Sequence, residues 1–154
     1  MTYQVSVSSP LGPIALTSDG EFLTGLEIGR HVSSHQADSI LDAATRQLEE
    51  YFAGTRHNFE LPLKASGTSF QESIWDALQR IPYGHTASYA ELGDAIGKPG
   101  SARAVGGAVG ANPLPIVIPC HRVLASDRKI TGYSGGDGIP TKVKLLDLEG
   151  ISYR

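Results

Sequence analysis

The sequence predicts an α+β protein in which a small N-terminal antiparallel sheet with one helix precedes a mainly helical second half. Three observations carry this. Short alternating runs separated by turn residues crowd the first thirty positions, helix start and stop signals recur from residue 38 onward, and the charge balance changes sign near residue 65. At 154 residues the chain fits one domain or two small ones, and 40% hydrophobic against 19% charged residues leaves enough apolar material for a core.

In order along the chain, "YQVSVS", "IALTS" and "FLTGLEI" alternate and are broken by "PLGP" and "SDGE", the pattern of a three-stranded meander. Ile40, Leu41, Ala44, Leu48, Tyr51 and Phe52 then recur at helical spacing, with Gly54 as a stop. "FELPL" reads as a further extended piece. "KASGT", residues 64–68, is the candidate junction, giving domains 1–64 and 65–154.

Beyond it, Thr68 with Gln71 fits a capping box, and Phe70, Ile74, Leu78 and Ile81 form one apolar face that Pro82 ends. Ser88 with Glu91 repeats the box and opens a helix reaching about Ile96, with Gly97 as its cap. "GKPG" turns the chain, and Ser101 is placed to cap a third helix through "ARAVGGAV". Two short helices across a four-residue turn have helix-turn-helix spacing, although any small helical domain can make that corner. Ala102, Ala104, Gly106, Gly107, Ala108 and Gly110 leave the second helix almost bare apart from Arg103, which suits either tight packing on a neighbouring helix or close approach to a groove. Ile116, Val117 and Ile118 read as a short buried strand, and "TKVKLLDLEG" as a last helix ending at Glu149 with Gly150 as its cap.

Composition removes several classes of function. No run approaches the roughly 18 apolar residues of a membrane span, and "MTYQVSVSSPLG" lacks the basic-then-apolar order of a signal peptide, so a soluble, cytoplasmic protein is expected. One cysteine allows neither an internal disulfide nor a multi-thiolate zinc site. His31 and His35 stand at i, i+4, a ligand spacing on a helix, with no third ligand evident. Nucleotide-binding and serine-hydrolase signatures are missing. A net charge of −3 argues against coating nucleic acid, yet residues 98–129 carry five basic side chains against one acidic, a local surface compatible with phosphate contacts or simply a solvated face.

The one cysteine, Cys120, lies in "VIPCHRVLA". A lone cysteine is commonly a small buried hydrophobe, but Pro119 pins the backbone before it, and His121 and Arg122 bring basic charge that favours thiolate where geometry permits. A Cys-His hydrolase and a non-catalytic helix-turn-helix binder fit the same features.

"NPLPIVIPCHRVLAS", with "SYAEL" and "SARAVGGAVGANP" upstream and "GYSGG" and "LLDLEG" downstream, closely resembles the O6-alkylguanine-DNA alkyltransferases, also called methylated-DNA–protein-cysteine methyltransferases. The resemblance runs nearly continuously over residues 67–150, whereas residues 1–64 match only in general layout. It implies an RNase H-like first domain and a winged helix-turn-helix-type DNA-binding domain that carries the active site.

The resemblance also implies roles. Cys120 is the alkyl acceptor, His121 the base that deprotonates it through a water, and Glu149 the carboxylate that orients the histidine. Tyr89 donates to N3 of the leaving guanine, and Asn112 braces the recognition helix against the active-site strand. Tyr133, the Ser134 amide and backbone groups of Cys120 and Val123 line the base pocket. Ser101, Ala102, Ala104 and Gly106 form the DNA-facing side of the bare helix, and Arg103 fills the gap left when the damaged nucleotide swings out. The partner implied is double-stranded DNA containing O6-alkylguanine, bound through the minor groove by a monomer with no membrane contact. No metal or organic cofactor is required, and the reaction stops after one transfer. Two departures stand out: "DGIPT" lengthens the linker before Lys142, and Gly110 and Ala111 replace residues that are often basic or polar.

Overall fold

The computed structural model describes residues 2–154, so Met1 of the expected first domain lies outside the described residues. The chain separates into two compact units, the first ending at Ala65 and the second Ser66–Arg154.

In the first unit β1 (Tyr3–Val7), β2 (Ile14–Ser18) and β3 (Leu23–Ile28) form an antiparallel sheet in the order β1-β2-β3, with Leu16 facing Val5 on one side and Leu26 on the other. That register puts Val5, Leu16 and Leu26 on one buried face, as strand alternation requires. Helix α1 (Ser39–Phe52) covers the sheet with Leu41, Ala44, Leu48 and Tyr51. Asp38 caps it, accepting from the Leu41 amide at 2.8 Å and from Ser18 Oγ at 2.6 Å, and Gly54 ends it at φ 81°. A cap of this kind contributes about 1 kcal/mol. "FELPL" forms no strand: Pro62 has no N–H to offer, and pairing shrinks to one bridge, Leu23 to Leu63. His31 and His35 lie in irregular chain rather than on a helix, gathered around the Ser6 hydroxyl at 3.4 and 3.1 Å.

The second unit opens with α2 (Ser69–Gln79), and both halves of the Thr68–Gln71 capping box are made. Its buried Trp75 donates from Nε1 to the Ala108 carbonyl at 2.9 Å, tying α2 to α4 (Ala102–Gly110). The Ser88–Glu91 box likewise forms and opens α3 (Tyr89–Ala95), directly after the short strand β4 (Ala87–Ser88). Gly97 and Gly100, at φ 75° and 76°, turn the chain into α4. Ser101 does not cap that helix, because its hydroxyl donates backward to the Lys98 carbonyl at 2.6 Å and accepts no helix N–H.

Residues 116–118 are a tight turn, not the strand their β-branched apolar side chains suggest. The Ile118 amide reaches back to the Leu114 carbonyl at 2.8 Å and Ile116 sits at φ 74°, so these side chains are buried without being extended. One 3₁₀ turn, Cys120–Arg122, follows, and only then a strand, β5 (Val123–Leu124), parallel to β4. Helix α5 (Ile139–Leu148) begins two residues before the expected "TKVKLLDLEG", with Pro140 in its first turn, so much of "DGIPT" is helix rather than loop. No helix among the described residues is long and apolar enough to cross a membrane.

Candidate active site

Cys120 stands where the 116–118 turn hands over to the 3₁₀ turn, only 4% exposed. Asn112 holds this corner. Its Nδ2 donates to the Ile118 carbonyl at 2.8 Å, and its Oδ1 accepts from the Leu114 amide at 2.9 Å. The brace therefore runs from the end of α4 to the turn before the cysteine.

Burial pushes the Cys120 thiol up, against hydrogen bonds from Asn112 and Tyr133 and the charge of Lys142, which favour the thiolate. Lys142, 1% exposed on α5, donates from Nζ to the carbonyls of Val123 at 2.6 Å and Gly132 at 3.1 Å. Its own pKa is lowered to about 8 by burial, and the negative sulfur works in the opposite direction.

Next to the cysteine, His121 is wholly buried and its Nε2 donates to Glu149 Oε2 at 2.6 Å. The same carboxylate accepts Arg122 Nε at 2.8 Å, Arg122 Nη2 at 3.1 Å and the Gly84 amide at 3.1 Å, while Arg122 Nη1 donates to the Ile81 carbonyl at 2.7 Å. Arg122 also lies over the Tyr83 ring, 5.7 Å from its centroid. Expected to bring charge to the thiol, Arg122 is instead committed to Glu149, a carboxylate itself buried at the end of α5. Burial holds His121 below the ordinary histidine range, with Glu149 opposing. Because a carboxylate only accepts, Nε2 carries the proton and Nδ1 keeps the lone pair. That Nδ1 is buried with no hydrogen-bond partner among the described residues.

A cavity of about 310 Å³ opens at Cys120, lined also by Tyr89, Gly106, Val109, Gly110, Thr131, Gly132, Tyr133 and Ser134. Its size falls near the lower end for small-molecule sites. Tyr89 Oη meets Thr131 Oγ1 at 2.7 Å, and Ser134 Oγ donates to the Gly110 carbonyl at 3.0 Å. Of the residues expected here, Cys120, Tyr89, Tyr133, Ser134 and Gly106 share the cavity, while His121 and Glu149 are buried and do not line it. Val123 does not line it: the side chain is fully buried in β5 and the carbonyl is taken by Lys142. On α4, Ala102, Arg103 and Ala104 are exposed, and Arg103 has no hydrogen-bond or ion-pair partner among the described residues. Lys142 and Thr131 escaped the sequence reading. Lys142 had a signal, since it falls at helical spacing with Leu145, Leu146 and Glu149 on the buried side of α5. Among the described residues no group of three or more metal-ligating side chains occurs.

Two family models match the chain. The DNA-binding domain of 6-O-methylguanine DNA methyltransferase covers residues 69–151, and the ribonuclease-like domain of the same proteins covers residues 2–65. A methylated-DNA–protein-cysteine methyltransferase of Methanosarcina barkeri is 45% identical over 161 residues, spanning all of both chains. The constitutive enzyme of that name from Bacillus subtilis is 40% identical, covering 100% of this chain and 99% of its own. Among solved structures, a Mycobacterium tuberculosis protein in complex with DNA superposes with a TM-score of 0.86 at 44% identity, over 95% of this chain and 91% of the other.

Proposed function

The chain belongs to the 6-O-methylguanine DNA methyltransferase family, and from that premise we propose which of its residues carry the reaction. It is a methylated-DNA–protein-cysteine methyltransferase that binds DNA and repairs O6-methylguanine by transferring the alkyl group to a cysteine. Its sequence holds one cysteine, so Cys120 is the acceptor. The observation that carries this reading is the junction of that sulfur with a cavity on one side and a neutral, Glu149-oriented His121 on the other.

A lesion carbon inside stacked duplex is out of reach of a buried sulfur, so the O6-alkylguanine must leave the helix and enter the cavity. A water at His121 Nδ1 passes the thiol proton to the imidazole, and the cation that results is stabilised by Glu149. Asn112, Tyr133 and Lys142 support the thiolate meanwhile. Sulfur then attacks the alkyl carbon, the C–S bond forms as the C–O6 bond breaks, and the electron pair passes into the purine. Tyr89 gives a proton to N3, so guanine leaves neutral. The thioether has no second thiol in the chain to attack it, and each molecule acts once.

Helix α4 is the surface we assign to the minor groove, with Ser101, Ala102, Ala104 and Gly106 at the backbone contact and Arg103 in the vacated stack. A Cβ added at Gly107 or Gly110 would meet nothing within 4 Å, and one at Gly106 only the Tyr89 ring at 3.8 Å. Internal packing thus gives no reason for these glycines, although glycine costs a helix about 1 kcal/mol relative to alanine. Close approach of an outside partner does. The protein acts as a monomer in this reading.

The test is stoichiometric. With excess O6-methylguanine duplex, guanine restored should equal protein added, one for one; Cys120→Ala should bind the duplex and restore none. Continued turnover would contradict single use.

A further inference from the structure

The cavity wall formed by residues 131–134 is fixed at three points. The Gly132 carbonyl is held by the buried Lys142 ammonium, Ser134 Oγ reaches the Gly110 carbonyl at the end of α4, and Thr131 Oγ1 meets Tyr89 Oη at 2.7 Å across 42 residues of sequence. The third contact joins two hydroxyls, either of which can donate, and both side chains face the cavity that Cys120 lines.

We propose that Thr131 is a positioning residue for Tyr89, donating its hydroxyl proton to the phenol oxygen so that the phenol's own O–H points into the cavity. This rests on the reading of Tyr89 as the donor to guanine N3. A lone phenol hydroxyl can aim its proton to either side within the ring plane; one that accepts from Thr131 must aim it away from that partner. As sulfur displaces O6 and the electron pair enters the purine, the Tyr89 proton moves to N3 and negative charge gathers on the phenol oxygen. The Thr131 hydrogen bond strengthens to that charge and holds it until solvent water returns a proton. The thiol proton, already on His121, passes to solvent, so the protons balance. A bond that tightens only as charge develops lowers the barrier and not the affinity.

Single-turnover transfer from O6-methylguanine duplex tests this with four variants. Thr131→Val, which keeps the shape and removes the donor, should slow transfer on the order of five- to tenfold with unchanged duplex affinity. Thr131→Ser should stay within about twofold of the parent rate, since the hydroxyl remains. Tyr89→Phe should be slower than Thr131→Val, and adding Thr131→Val to it should cost nothing more. A fast Thr131→Val beside a slow Tyr89→Phe overturns the role of Thr131 alone, and so does an undiminished Thr131→Val effect in the Tyr89→Phe background. A Tyr89→Phe protein as fast as the parent overturns the Tyr89 donor itself and this inference with it.

Discussion

His121 donates to Glu149 at 2.6 Å inside a pocket where neither side chain touches solvent. The carboxylate is at once the orienter of the base and the countercharge of Arg122, so removing its charge has two separable effects.

Glu149→Gln leaves Arg122 buried without its countercharge, and breaking a buried ion pair in this way costs about 3–5 kcal/mol. Chemical denaturation should show that loss. Adding Arg122→Met should recover much of the stability, because no unpaired charge remains, while transfer stays slow in both variants for want of an oriented histidine. Parent-like transfer by the stable double variant would reduce Glu149 to a structural role.

Lys142 makes stability depend on alkaline pH. Its pKa is lowered to about 8 in the fold from 10.5, so between those values the unfolded chain binds a proton that the folded chain does not. Stability therefore rises with pH across that window, by an amount on the order of 3 kcal/mol if the group is isolated. Denaturation midpoints from pH 7.5 to 10.5 should climb in the parent relative to Lys142→Met. Parallel curves would place the Lys142 charge in solvent-like surroundings.

The histidine sets the acid limb of transfer. Burial keeps His121 below 6.5, so Nδ1 stays unprotonated and the rate should hold as pH falls through 6.5, declining only below it. Single-turnover rates at constant ionic strength check this, and a rate already halved near pH 7 would show that another group is the base.

Arg103 projects alone from a helix whose neighbours are alanine and glycine. Arg103→Ala should slow repair within a duplex far more than reaction with free O6-benzylguanine, which has no stack to fill. Equal slowing of both would remove that role.

How much of this was legible in the sequence differs by kind of interaction. Local rules gave the meander, both capping boxes and the helices, because each depends on residues a few positions apart. They failed where a side chain had a better option than the rule assumed: Ser101 bonds backward to Lys98, and Ile116–Ile118 are buried by a turn that Asn112 pins. Cys120 and His121 stood out as a lone thiol beside a basic neighbour, but their roles, and Glu149 altogether, came from resemblance across linked motifs. The partners 19 to 42 residues away, Lys142 on Val123, Glu149 on Arg122 and Thr131 on Tyr89, follow from the tertiary fold and leave at most a misplaced charge on an apolar helix face.

The most direct measurement is the mass of the reduced protein, intact and as peptides, after one equivalent of duplex carrying O6-methylguanine. One methyl group should be gained, on the peptide containing Cys120, with no second gain in excess substrate. An unchanged Cys120 peptide while guanine is restored would contradict Cys120 as the acceptor.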